Sequence, residues 1–217
     1  LKDDKQRLIE FIKKFIRKPC LKGKDTLYEI DQSNIVPSKE FANMVYDAIK
    51  GEPFFTYDKE QAFSVSKIVS EVNEALAKNE RRTLIVRGGP GSGKSIVAIN
   101  ALGQLMNPKD GSRRKNACYV TATFTPRTYY SEILTGQDFT KKAIAELFKS
   151  PAVCVKAPAN SFDCIIVDEA HRMFSWKYGM GVGRDVDIID KLFNASRVNV
   201  FFIDEDQMIT TTDFLSI

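Results

Sequence analysis

The 217-residue chain is 43% hydrophobic and 28% charged, with a net charge of +4 and an isoelectric point near 8.8. Such a composition belongs to a soluble globular protein with a sizeable core, built as one domain with an appendage or as two small ones. No run approaches a membrane span, no signal peptide is visible, and the mild basicity permits a nucleic-acid partner without requiring one.

Four cysteines, Cys20, Cys118, Cys154 and Cys164, are scattered without a C-x-x-C pair or zinc spacing. Cys118 and Cys164 sit in strand-like runs, where a reduced cysteine is a small core residue, so a cytoplasmic setting fits best. Because the chain opens at Leu1 and stops at Ile217, an excised piece of a longer protein is expected.

In chain order, Leu8, Ile9, Phe11, Ile12, Phe15 and Ile16 recur at helical spacing, with Lys13, Lys14, Arg17 and Lys18 between and after them. That helix either touches nucleic acid or an acidic partner through its lysines, or packs its apolar stripe while the lysines face water; packing is the simpler reading. A second helix runs from a Ser38 N-cap through Phe41, Met44, Val45, Ala48 and Ile49 to a stop at Gly51. The two form an N-terminal helical appendage over residues 1–53, with the main domain over 54–217.

Asp58 introduces a longer helix with a stripe at Val65, Ile68, Val69, Val72 and Leu76. Gln61, in its first turn, has two readings. A glutamine amide can donate to N7 and accept from N6 of adenine, and adenine-reading glutamines occur just upstream of phosphate-loop strands. Asp58 followed three residues later by Gln61 equally resembles a capping box.

The stretch TLIVRGGPGSGKS, Thr83 to Ser95, organises the rest. Leu84, Ile85 and Val86 read as a buried strand, and Ile96, Val97, Ile99 and Leu102 carry a helix onward. Between them Gly88, Gly89, Pro90, Gly91, Ser92, Gly93, Lys94 and Ser95 fit G-x-x-x-x-G-K-[ST]. Glycines open backbone conformations closed to residues with a Cβ, and successive N–H groups then converge on an anion at the positive end of the helix. Lys94 supplies a point charge for the β- and γ-phosphates of ATP, and the Ser95 hydroxyl can ligate Mg²⁺. A glycine-rich turn that merely precedes a helix would explain neither flank.

Arg113, Arg114 and Lys115 follow in a polar loop, and Ala117–Ala122 is a second strand. Thr123–Arg127 reads as a hydroxyl-rich turn off that strand's end, where ligands of open α/β sheets collect. Asp138–Lys149 reads as a helix with Ala143, Ile144, Leu147 and Phe148 inward.

Phe162–Val167 is an apolar strand ending in Asp168 and Glu169, which puts two carboxylates at the sheet rim beside the loop. Acid pairs in such places are costly without a cation, so Asp168 is expected to hold Mg²⁺ and Glu169 to orient and deprotonate the attacking water. His171, the only histidine, either couples nucleotide state to a neighbouring segment or caps the local turn. Gly179–Gly183 is a flexible loop; Trp176 and Tyr178 could stack on bases, though burial suits a lone tryptophan better. Asp185–Asn194 is a helix with Ile188, Ile189, Leu192 and Phe193 inward. The strand Val198–Ile203 runs into Asp204, Glu205, Asp206 and Gln207, and Gln207 could sense the γ-phosphate or the lytic water.

The fold expected is α/β: a RecA-like P-loop NTPase, a parallel sheet with helices on both faces and strands near Leu84, Tyr119, Ile166 and Phe201. Gln61, GGPGSGKS, the turn at Thr123–Arg127, VDEAH and IDEDQ occur in the order of the first-half motifs of superfamily 1 helicases. More closely, the chain resembles the Schlafen group 3-like DNA/RNA helicase domain family, with FDCIIVDEAHRM and VFFIDEDQMI similar to its signature blocks.

That likeness covers most of the chain and is strongest from Leu84 onward. It implies ATPase roles for Lys94, Ser95, Asp168, Glu169 and Gln207, adenine reading by Gln61, and single-stranded DNA or RNA as partner. It also implies a second RecA-like domain, outside this chain, whose arginines reach the γ-phosphate and speed turnover on the order of a thousandfold or more. The isolated chain is therefore expected to bind ATP modestly and hydrolyse it slowly. The turn at Thr123–Arg127 departs from the family by lacking an asparagine. A regulatory P-loop ATPase that does not translocate, or a nucleotide-binding module without catalysis, are the alternatives.

Overall fold

The computed structural model describes residues 39–50, 58–121, 124–135, 139–175 and 188–204. The helix expected at Leu8–Ile16, the Ser38 cap, Trp176, Tyr178, the loop Gly179–Gly183 and Gln207 lie outside them. In chain order the elements are α1 (Lys39–Ile49), α2 (Lys59–Ala77), β1 (Arg82–Arg87), α3 (Lys94–Met106), β2 (Ala117–Thr121) and α4 (Phe124–Thr135). They continue as α5 (Lys141–Leu147), β3 (Phe148–Lys149), α6 (Pro151–Val155), β4 (Phe162–Asp168), a 3₁₀ turn (Ala170–Ser175), α7 (Ile188–Ala195) and β5 (Ser196–Ile203).

Among the described residues the five strands form one parallel sheet in the order β1-β5-β4-β2-β3. Its register aligns Leu84 with Val200, Ile166 with Val200, and Tyr119 with Ile166. Strand residues alternate between two apolar layers, as the pleat requires. Tyr119, Ile166, Val200 and Phe202 meet Val45, Val72, Leu102, Leu134 and Leu147 from the first five helices. Val120, Ile165, Val167 and Ile203 meet Cys154, Met173, Leu192 and Ala195 on the other side. Helices thus cover both faces, which is why β4 and β5 read as near-continuous apolar runs. The expected α/β RecA-like architecture is the one observed.

Three local expectations change. β1 is an edge strand rather than a buried one: Leu84 and Val86 pack inward, while Thr83, Ile85 and Arg87 are exposed, Ile85 at 47%. Among the described residues β1 pairs with β5 alone. The stretch Asp138–Lys149 is not one helix. The Thr140 hydroxyl caps α5 by accepting from the Ala143 N–H at 3.2 Å, and the chain leaves the helix at Phe148 to pair with Tyr119 of β2. Burial of Phe148 against Tyr119 and Tyr130, ring centroids 5.5 and 5.0 Å away, favours this switch. Thr123–Arg127 is not a turn either, because the backbone is helical from Phe124. Pro126 falls in the first turn, where its missing N–H costs nothing. The helix expected at Asp185–Asn194 is described over Ile188–Ala195, with Leu192 buried and Ile188, Ile189 and Phe193 packed on the same cluster, as expected; residues 185–187 lie outside the described residues.

α1 packs on α3 at Gly103, where a Cβ would lie 1.6 Å from the Ala48 carbonyl oxygen. The Asn107 side chain also donates to the Ile49 carbonyl at 2.7 Å. The sequence groups α1 with the N-terminal appendage; in the structure it falls in the compact unit Pro37–Ile217, and Leu1–Val36 is a separate unit.

Candidate active site

The glycine-rich loop leaves β1 beside β5, with the Gly88 N–H donating to the Ile203 carbonyl at 3.3 Å. Gly91 and Gly93 have φ of 75° and 81°, the left-handed region. Gly93 is the N-cap of α3, and a Cβ there would meet the Gln61 amide nitrogen at 2.5 Å. The backbone conformation favours glycine at that position, and a side chain there would displace the Gln61 amide.

Of the two readings of Gln61, the structure bears on the capping box. Asp58 is the N-cap of α2, and its carboxylate accepts the Gln61 N–H at 2.8 Å. The Gln61 side chain does not complete a capping box: it reaches across to donate from Nε2 to the Ser92 carbonyl at 3.1 Å. A residue 31 positions upstream thereby touches the loop.

Lys94 folds back over the loop. Its Nζ donates to the carbonyls of Gly88 (2.6 Å) and Gly89 (2.9 Å) and pairs with Asp204 Oδ2 at 2.8 Å. These three contacts match the three protons of an ammonium group. Asp204 is fully buried at the end of β5, so the pair is one that desolvation makes costly to break from one side.

Asp168, 2% exposed at the end of β4, is held by three donors. The hydroxyls of Ser95 (2.6 Å) and Tyr119 (2.5 Å) both donate to Oδ2, and the Glu169 N–H donates to Oδ1 at 3.0 Å. Burial, followed by the charge of Asp168, pushes the Tyr119 phenol well above its usual range, so it remains a donor.

Glu169 takes a left-handed φ of 52°, a conformation costing a residue with a Cβ about 1–3 kcal/mol, which the surrounding packing must hold in place. Its Oε2 lies 3.2 Å from His171 Nε2 and 3.4 Å from Arg172 Nε. The approach to His171 is close enough for an ion pair but not aligned as a hydrogen bond, and both atoms are buried. His171 is fully buried and accepts the Asp204 N–H at Nδ1, 3.3 Å away.

The structure therefore brings Gln61, the glycine-rich loop, Lys94, Ser95, Asp168 and Glu169 to the carboxyl ends of β1, β4 and β5. Sequence reasoning assigned no role to Tyr119, Asp204 or Arg172. Arg113, Arg114 and Lys115 sit elsewhere, lining a cleft of about 520 Å³ that also includes Asn116 and Ala117 at the amino end of β2. There Arg113 engages both oxygens of Asp163, at 3.0 and 2.9 Å.

The Ser95 hydroxyl and Asp168 carboxylate are hard oxygen donors already in mutual contact, which fits Mg²⁺. Among the described residues no group of three or more His, Cys, Asp or Glu could cage an ion. A cation here would keep waters and substrate oxygens, as Mg²⁺ prefers.

A parallel sheet with a glycine-rich strand–loop–helix and neighbouring strands that end in acids defines a RecA-like α/β domain. Residues 81–217 match the family model for the Schlafen group 3, DNA/RNA helicase domain, and the chain belongs to that family. Its function is accordingly linked to nucleic acid at the level of the family. No curated protein matches the chain. Among the described residues no helix is long and apolar enough to cross a membrane.

Proposed function

We propose that the chain binds Mg·ATP and hydrolyses it as the first motor domain of a superfamily 1-like helicase or translocase acting on single-stranded DNA or RNA. The observation that carries this reading is the convergence of Lys94, Ser95, Asp168 and Glu169, with Ser95 and Asp168 in direct hydrogen bond. Loop amides and Lys94 bind the β- and γ-phosphates, Lys94 exchanging its protein acceptors for phosphate oxygens. Gln61, held at the loop through Ser92, reads adenine. Ser95 and Asp168 hold Mg²⁺, which neutralises charge on the phosphates. Glu169 orients a water for in-line attack and takes its proton as the bond to the β,γ-bridging oxygen breaks. Gln207 senses the γ-phosphate, and a second RecA-like domain supplies the arginines that speed turnover.

The test is ATP turnover by this chain and by one extended through the following domain, each with and without single strands of DNA and RNA. Slow turnover by the chain, strand-stimulated turnover by the longer form, and a loss of about a hundredfold or more in Glu169→Gln are expected. Equal activity of Glu169→Gln and wild type would refute hydrolysis at this site. Turnover indifferent to every strand would point instead to a regulatory ATPase that does not translocate.

A further inference from the structure

His171 is the only histidine in the chain, and it is fully buried between the ends of β4 and β5. Its two nitrogens face different partners. Nδ1 accepts the main-chain N–H of Asp204 at 3.3 Å. A ring nitrogen that accepts a hydrogen bond carries no proton, so the proton sits on Nε2. That Nε2 faces Glu169 Oε2 at 3.2 Å, and these two buried atoms have no aligned hydrogen bond to any other group.

Two complementary buried groups this close are costly to leave unsatisfied, and catalytic hydrogen bonds are often loose until substrate tightens them. Arg172 Nε approaches the same oxygen at 3.4 Å. Oε2 is thus the oxygen of Glu169 that both side chains approach.

We propose that His171 is a positioning residue: β5 fixes it as the Nε2–H tautomer, and it sets the orientation of Glu169 through Oε2. The arrangement reaches further, because Asp204 gives its N–H to His171 and its carboxylate to Lys94. Asp204, the residue that follows β5, therefore connects the phosphate-binding lysine to the group that orients the base. The inference rests on the ATPase reading for its kinetic consequence, but not for the tautomer.

The experiment has two arms, both on the full chain. Nitrogen-15 NMR of the single histidine reads its tautomer without assignment by mutation; a pyridine-type Nδ1 with a protonated Nε2 is expected, and an Nδ1–H tautomer overturns the proposal. In the kinetic arm, His171→Asn keeps an acceptor near Nδ1 but loses the donor to Glu169, whereas His171→Gln keeps a donor near Nε2. His171→Asn should lower kcat about tenfold, His171→Gln about threefold, with KM little changed, as one hydrogen bond to a charged group warrants. In a Glu169→Gln background His171→Asn should cost nothing further. Equal losses in the two variants, or full additivity with Glu169→Gln, would mean that His171 only fills space. If the wild-type chain and its longer form show no turnover at all, the ATPase reading fails while the NMR arm still decides the tautomer. Should His171→Asn not fold, that same arm and His171→Gln carry the test.

Discussion

Tyr119→Phe removes a hydroxyl at the heart of the site that engages both Asp168 and Tyr130. The ring is 1% exposed, edge-on to Tyr130 and Phe148 at centroid distances of 5.8 and 5.5 Å, and phenylalanine retains that packing. What disappears is the hydroxyl that donates to Asp168 Oδ2. Asp168 is 2% exposed, so water cannot replace the donor without opening the core. A hydrogen bond to a charged group is worth about 1.5–3 kcal/mol, and a domain of this size loses about 2–4 °C of melting temperature per kcal/mol. Thermal unfolding should therefore fall by roughly 3–12 °C in Tyr119→Phe. The Mg²⁺ concentration needed for half-maximal turnover should also rise, because the carboxylate would lose one of its orienting donors. Melting within about 1 °C of wild type would refute the claim that this hydroxyl supports Asp168.

Lys94→Met removes the cation from a fully buried carboxylate, so it should abolish nucleotide binding and also destabilise the fold by about 3 kcal/mol or more. The double variant Lys94→Met/Asp204→Asn should recover most of that stability in denaturant titrations without recovering binding; a Lys94→Met protein as stable as wild type would contradict the pairing. Gln61→Ala should reduce preference for ATP over GTP by about tenfold in competition binding, and unchanged selectivity would leave Gln61 as a purely structural tie to Ser92. Alkaline pH should weaken the fold. Burial raises the Tyr119 phenol and the Cys164 thiol above their ordinary values of 10.0 and 9.0, so the unfolded chain ionises first. Their contribution is fully present below about pH 9 and is lost as pH rises above it; denaturant midpoints independent of pH between 8 and 11 would refute it.

Much of the site was legible because its chemistry is local in sequence. Glycines at the φ-demanding positions 91 and 93, a lysine and serine opening a helix, and two acids closing an apolar strand all lie within runs shorter than one element. Tyr119 was not legible in the same way. Its bond to Asp168 spans 49 residues and depends on β2 lying against β4, and a tyrosine inside an apolar strand carries no sign of which way its hydroxyl will point. Asp204 is 110 residues from Lys94, and among the acids after β5 nothing in the sequence marks it as the lysine's partner. Fold errors have equally specific causes. Phe148 looked helical because its spacing continued the α5 stripe, yet a two-residue pairing with β2 buries its ring better. Thr123–Arg127 reads as a turn from its hydroxyls and its place after a strand, but a first helical turn accepts such residues and Pro126 as readily.

Lys94 and Ser95 already spend their donors on protein acceptors, one on Asp204 and two loop carbonyls, the other on Asp168. A phosphate at this loop would therefore gain Lys94 by exchange, and an exchanged hydrogen bond between charged groups would contribute about 1.5–3 kcal/mol net, less than it is worth in isolation. Modest affinity is the expected outcome. The exchange also has a second effect. Were Lys94 to move to phosphate, Asp204 would lose one partner of its buried charge, and its main-chain N–H is the donor to His171. On the ATPase reading proposed above, binding at the loop is therefore expected to be felt at Glu169 through Asp204 and His171. A lysine that met only loop carbonyls would bind phosphate as well, but it would have no way of reporting that it had.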